Sequence, residues 1–172
     1  MNIDPYELII FDADGTLIDR DSGTILPGVL DFFQNKRQEK AYAIVTNQGG
    51  PACHDAGWES SHIYPNLEFV ERRYSWLAER LATSLYICWA YFDRSGRLML
   101  PNKYAVMPED ARPKSCLRDW RKPSPGMLIQ VMWDAHMEPC ETLMVGDRDE
   151  DEEAAYRAGC AFAWASVFFG RA

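Results

Sequence analysis

Apolar runs that end abruptly in polar or glycine-rich turns recur along this chain. Leu8-Ile9-Ile10-Phe11 runs into Asp12-Ala13-Asp14-Gly15-Thr16, Ala43-Ile44-Val45 into Thr46-Asn47-Gln48-Gly49-Gly50, and Leu143-Met144-Val145 into Gly146-Asp147-Arg148-Asp149-Glu150-Asp151. Short uninterrupted apolar runs predict strands covered on both faces, as in a parallel sheet. Between them the period becomes helical. Val29, Leu30 and Phe33, after Pro27-Gly28, predict a helix that ends in the polar run 35–40. Leu67, Val70, Tyr74, Leu77 and Leu81 predict the core-facing stripe of a longer helix over 66–82, with Glu68, Glu71, Arg72, Glu79 and Arg80 opposite. Leu128, Val131, Met132 and Ala135 predict another helix, and 150–158 a short one stopped by Gly159. Residues 85–92 read as a third strand and 161–169 as a last one. Strand and helix alternate, which predicts an α/β fold: a doubly wound, Rossmann-like parallel sheet flanked by helices.

Length adds that the 172 residues suffice for one substantial core, so a single domain over 1–172 is expected. The start Met1-Asn2-Ile3-Asp4 lacks a basic leader, and no apolar run approaches the roughly 18 residues that span a bilayer. Five scattered cysteines, at 53, 88, 116, 140 and 160, fit a reducing compartment better than a disulfide framework. A cytoplasmic enzyme, monomeric and without a membrane partner, is expected. Net charge is −8, yet between Arg94 and Lys122 eight basic residues face three acidic ones. That basic insertion, at about 93–121, is too long for an ordinary connection, and Gly96, Pro101, Pro108 and Pro113 punctuate it. It reads as an irregular loop able to attract an anion beside the chemistry.

Open α/β sheets bind ligands at the carboxyl ends of their strands, where the polar turns above would lie. Asp12 and Asp14, at i and i+2, share a strand face, and Gly15 lets the chain turn away. One such carboxylate can act as nucleophile or metal ligand, and its charge raises the neighbour's proton affinity. The hydroxyl of Thr46, the amide of Asn47 and the glycine-freed backbone after it suit phosphate oxygens. Lys122, in Arg121-Lys122-Pro123-Ser124-Pro125-Gly126, could neutralise a reacting phosphoryl group. Asp147 and Asp151 add oxygen ligands of the kind Mg²⁺ prefers.

In this order, Asp12-x-Asp14-Gly15-Thr16, Thr46-Asn47, Lys122 and Gly146-Asp147-x-x-x-Asp151 resemble the four motifs of the haloacid dehalogenase (HAD) superfamily of phosphohydrolases. Arg121-Lys122-Pro123-Ser124-Pro125-Gly126-Met127 is similar to the branch holding histidinol-phosphate phosphatases, heptose 1,7-bisphosphate phosphatases and polynucleotide 3′-phosphatase domains. The resemblance implies that Asp12 forms an aspartyl-phosphate and that Asp14 serves as general acid and then base. It implies that Thr46 and the backbone around Asn47, with Gly15 and Thr16 nearby, hold the phosphoryl group while Lys122 balances charge. Mg²⁺ would be held by Asp12, the backbone carbonyl of Asp14, Asp147 and Asp151. With so little chain between the motifs, the resemblance also implies a capless member with an open site.

Heptose bisphosphate phosphatases of this branch carry Cys-x-His and then Cys-x-Cys before Arg-Lys-Pro. Here Cys88 is followed by Trp89-Ala90, and Trp120 precedes Arg121, so structural zinc is not expected. A phosphoacceptor receiver domain uses similar residues in a different order. The expected function is therefore Mg²⁺-dependent hydrolysis of a small phosphorylated metabolite: a sugar phosphate, a sugar bisphosphate or a histidinol-phosphate-like ester. The alternative is a polynucleotide 3′-phosphatase, for which nucleic acid would be the partner. Arg118 and Arg121 are expected at the entrance, binding a second anionic group.

Overall fold

The computed structural model describes residues 2–35, 39–58 and 64–171. In chain order the elements are β1 (Leu8–Phe11), α1 (Val29–Gln34), β2 (Ala41–Asn47), α2 (Gly50–Asp55), α3 (Leu67–Leu81), β3 (Ser84–Cys88), β4 (Tyr91–Phe92), β5 (Leu98–Met99), α4 (Asn102–Ala105), α5 (Gly126–Ala135), β6 (Thr142–Gly146), α6 (Asp149–Ala158), β7 (Ala161–Trp164) and α7 (Ala165–Phe168). Five strands form one parallel sheet in the order β3-β2-β1-β6-β7. From β1 the chain moves outward one way to β3, then crosses through α5 to β6 on the other side of β1. The strand order reverses between β1 and β6, so the crevice opens at the carboxyl ends of those two strands. α5 and α6 touch each other on one face of the sheet, as right-handed crossovers running the same way across it require.

β1 is the central strand, and every residue in it and in β6 is buried. That is why both read as uninterrupted apolar runs rather than alternating ones. Under β1, Phe11 packs among Phe32, Phe33, Phe168 and Phe169 with ring centroids 5.4–6.0 Å apart. Each such ring contributes ~1.5–3 kcal/mol by leaving water. Helix α3 follows its periodicity closely. The Asn66 side chain caps it by accepting from the Phe69 amide at 2.8 Å, Val70, Tyr74, Leu77, Ala78 and Leu81 are buried, and Ala82 ends it at φ 50°.

Four expectations need correction or qualification. The strand expected over 85–92 is two strands: β3 ends at Cys88, the Trp89 amide donates to Ser115 O, and Tyr91–Phe92 pairs antiparallel with Leu98–Met99. The strand expected over 161–169 stops at Trp164, and α7 turns Phe168 and Phe169 back onto Phe11. The segment 93–121 is built of short pieces rather than irregular throughout: β5, α4 and 3₁₀ turns at Glu109–Ala111, Lys114–Cys116 and Arg118–Trp120. In the polar run 35–40, Asn35 caps α1 and Lys40 is buried with its ammonium on the carbonyl of Tyr6; residues 36–38 lie outside the described residues. Among the described residues, no helix is long and apolar enough to cross a membrane.

Candidate active site

The carboxyl ends of β1, β2 and β6 converge as the strand pattern predicts. A small polar crevice there is lined by Asp12, Asp14, Arg20, Thr46, Asn47, Arg148 and Glu150. Gly15 turns the chain at φ 84°, and a Cβ there would stand 2.1 Å from Asp147 Oδ2. Only glycine allows the first turn to approach the β6 carboxylate so closely. Across that approach Thr16 Oγ1 donates to Asp147 Oδ1 at 3.4 Å.

Lys122 is the buried centre of the arrangement. Its ammonium donates to Asp12 Oδ1 at 2.5 Å, to Asp151 Oδ1 at 2.6 Å and to the Val45 carbonyl at 3.3 Å, with 1% of the residue exposed. Three acceptors match the three hydrogens of an ammonium. Burial works against its charge, but Asp12 and Asp151 outweigh that and hold the ammonium protonated above its ordinary range. Asn47 fixes the lysine from behind, its side-chain amide donating to Lys122 O at 3.0 Å and accepting from Lys122 N at 3.1 Å. Asp151 is fully buried and also accepts the amides of Asp147 and Arg148 at 3.3 and 3.2 Å.

Asp12, Asp147 and Asp151 each offer an oxygen within 4.8 Å of the others. Three carboxylates around one ammonium leave two negative charges uncompensated, which is the deficit a divalent cation fills. Burial pushes the Asp12 carboxyl up, with Lys122 pulling it down and Asp151 adding to the rise. Asp147 is pushed up by burial first and by Asp151 second. In both, burial is the larger cause of the rise and the neighbouring Asp151 carboxylate adds to it. The all-oxygen donor set suits Mg²⁺.

Asp14 is held apart from this cluster. Tyr74 Oη donates to it, 2.7 Å from each carboxylate oxygen, and Gln48 Nε2 lies 2.9 Å from Oδ2. Gln48 Nε2 is also 2.9 Å from Thr46 Oγ1 and 2.7 Å from Tyr74 Oη. Tyr74 lies in the core stripe of α3, as its period predicts, and its reach into the site is not visible in that period. A buried tyrosine hydroxyl needs a partner, and that was the available signal. Arg20, Arg148 and Glu150 were also missed as crevice residues.

Arg118 and Arg121 do not line that crevice. The Arg118 guanidinium lies 4.3 Å from the centroid of Phe92 and donates to Gly96 O at 3.0 Å. Arg121 donates to Ala90 O at 2.8 Å, beside the ring of Tyr91. Both tie the inserted segment to itself and to the end of β3. Cys88 and Cys116 are buried, and burial pushes both thiols up, so neither is poised as a thiolate.

The HAD-hydrolase-like family model matches residues 119–166, which carry Lys122, Asp147 and Asp151. The D-glycero-beta-D-manno-heptose-1,7-bisphosphate 7-phosphatase of Escherichia coli K12 is 30% identical over 162 residues, covering 87% of this chain and 73% of that protein. The D-glycero-D-manno-heptose-1,7-bisphosphate 7-phosphatase of Thermosynechococcus vestitus is 26% identical over 172 residues, covering 91% of this chain and 76% of its own. Among solved structures, D,D-heptose 1,7-bisphosphate phosphatase from B. bronchiseptica, complexed with magnesium and phosphate, superposes with a TM-score of 0.60 at 22% identity. That match covers 91% of this chain and 78% of the other. A HAD-superfamily hydrolase of subfamily IA from Geobacter sulfurreducens shares the fold at a TM-score of 0.52 and 15% identity, covering 91% and 88%. The chain is a phosphatase of the haloacid dehalogenase superfamily, and within it resembles the heptose 1,7-bisphosphate 7-phosphatases.

Proposed function

We propose that this phosphatase removes one phosphate from a small sugar bisphosphate, using Mg²⁺ and a covalent aspartyl-phosphate on Asp12. The observation that carries the reading is the Lys122 ammonium bridging Asp12 and Asp151 with Asp147 beside them. A lone buried carboxylate would repel a phosphate dianion. One held against a lysine, and completed by a cation, can attack it. The substrate class comes from the heptose bisphosphate phosphatases among the relatives.

Asp12 attacks phosphorus in line with the ester oxygen, the P–O ester bond breaks, and the leaving alkoxide takes the proton of Asp14. Asp14, now a carboxylate, accepts a proton from water as that water attacks the aspartyl-phosphate. The P–O bond to Asp12 breaks, and phosphate and free Asp12 result. Thr46 and the turn after β2 hold the non-bridging oxygens, and Lys122 keeps Asp12 oriented and balances the charge of the transferring group. Asp12, Asp147 and Asp151, with the Asp14 backbone carbonyl, would hold Mg²⁺, which neutralises charge on the phosphoryl oxygens. Among the described residues no cap covers the crevice, and the sugar enters between Arg20 and Arg148.

The test is phosphate release with Mg²⁺ over sugar bisphosphates, sugar monophosphates, histidinol phosphate, nucleotides and 3′-phosphorylated oligonucleotides. The expected result is highest kcat/KM on a sugar bisphosphate, with one equivalent of phosphate released. Highest kcat/KM on the oligonucleotide would replace this reading with an end-processing one.

A further inference from the structure

Tyr74 stands outside every element that carries the motif residues. It sits in the middle of α3 with only 3% of its surface exposed, and a phenylalanine would satisfy the apolar stripe equally well. Its hydroxyl nevertheless reaches 60 positions back along the chain to Asp14, 2.7 Å from both carboxylate oxygens. Gln48, 8% exposed, meets the same carboxylate from the end of β2 and also touches the tyrosine hydroxyl at 2.7 Å. A phenol has one hydrogen. Facing the Asp14 carboxyl, which in its ionised form only accepts, and an amide NH₂, it donates to Asp14 and accepts from Gln48. The three groups therefore form a directed chain, from the Gln48 amide to the Tyr74 hydroxyl to the Asp14 carboxylate, with a second Gln48 hydrogen left for Oδ2 of Asp14 or for Thr46.

We propose that Tyr74, supported by Gln48, is a positioning residue that holds the Asp14 carboxyl at the edge of the phosphoryl site for its two proton transfers. This rests on the reading of Asp14 as the general acid and base. A carboxyl on a two-torsion side chain, on a turn, would otherwise sample several orientations. Proton transfer needs one, within hydrogen-bond reach of the leaving oxygen and then of water. A phenol keeps its hydrogen at neutral pH, so Tyr74 remains a donor there. Because the hydroxyl bridges both oxygens, Asp14 can turn toward the ester while one oxygen keeps its anchor. Gln48 extends the coupling to Thr46, so the orientation of the acid is tied to a residue that holds the phosphoryl group.

The experiment is a double-mutant cycle on steady-state kinetics with Tyr74→Phe, Asp14→Asn and the pair, Mg²⁺ being present throughout. Tyr74→Phe removes one oxygen and keeps the ring in the core; circular dichroism and the unfolding midpoint verify the fold. Expected is a kcat roughly tenfold lower, part of the ~10²–10⁴ that acid–base catalysis supplies, with KM changed by less than about twofold. In the Asp14→Asn background the same change should cost nothing further, because its effect passes through the missing carboxylate. Site-specific fluorotyrosine at 74 gives a second reading that leaves the packing intact: kcat should vary with the strength of the phenol as a donor. An unchanged kcat for Tyr74→Phe, or an equal loss in both backgrounds, would overturn the proposal while leaving the Asp14 assignment standing. Full activity in Asp14→Asn alone would overturn that assignment and the proposal with it.

Discussion

The side chain of Asn47 and the backbone of Lys122 exchange two hydrogen bonds, of 3.0 and 3.1 Å, across 75 residues of sequence. An amide that reads as a phosphate ligand thus spends its side chain on another residue. It is the strut that places the lysine between Asp12 and Asp151. Asn47→Leu keeps the size and removes both bonds, leaving a part-buried amide and carbonyl of Lys122 unpaired, at about 1–3 kcal/mol. Expected are an unfolding free energy lower by that order in urea titration and kcat lower by on the order of tenfold. An unchanged kcat would mean that the two carboxylates hold Lys122 in place by themselves.

Asp12→Asn should abolish turnover and covalent phosphate incorporation together, since amide and carboxylate are nearly isosteric and only the nucleophile is lost. Mass spectrometry of rapidly quenched protein would show a phosphate adduct on wild type and none on the variant. Wild-type phosphate release from Asp12→Asn would remove Asp12 from the role.

Removal of the metal should stop the reaction without unfolding the protein. Asp12 and Asp147 follow the ends of β1 and β6, Asp151 lies in the first turn of α6, and Lys122 already offsets part of their repulsion. EDTA should therefore abolish phosphate release, Mg²⁺ should restore it, and the unfolding midpoint should fall only slightly. Stoichiometric zinc in the purified protein, with unfolding on chelation, would show that buried Cys88 and Cys116 serve a metal after all.

Arginines at two places should separate cleanly. Arg20 and Arg148 line the crevice, whereas Arg118 stacks on Phe92. Arg20→Ala and Arg148→Ala should raise KM for a sugar bisphosphate about three- to tenfold and weaken the salt dependence of kcat/KM, with less effect on p-nitrophenyl phosphate. Arg118→Ala should leave both KM values in place and lower stability by about 1 kcal/mol through the lost cation–π contact. The opposite pattern would return the anion-binding role to the inserted segment.

The strand ends were legible because β1 and β6 are covered on both faces, so their sequences are plain apolar runs that stop where chemistry begins. Asp12, Thr46, Asp147 and Lys122 were legible as types suited to phosphate and metal, each just after such a run or just before a helix. What local pattern could not show was pairing at a distance. Tyr74 fits a helical period whatever its hydroxyl does, and nothing within α3 points to Asp14. The break at Trp89 was hidden for a similar reason, since 85–92 is apolar throughout and the chain leaves the sheet through a bond to Ser115. Charge misdirected the reading of Arg118 and Arg121, because a count of basic residues does not reveal which carbonyls and rings already engage them.

The position of β1 has a consequence for how the protein is made. Leu8 pairs with Ala41 on one side and with Thr142 on the other, so β1 is synthesised before either neighbour and receives β6 only after β2, β3 and α5 have followed. Until then one edge of the most apolar strand is open, its aspartate lacking both Lys122 and Asp151. At synthesis rates of about 5–20 residues per second this exposure lasts on the order of ten seconds. A nascent chain halted anywhere before β6 carries Asp12 without the β6 carboxylate beside it, and offers chaperones an unpaired strand edge instead.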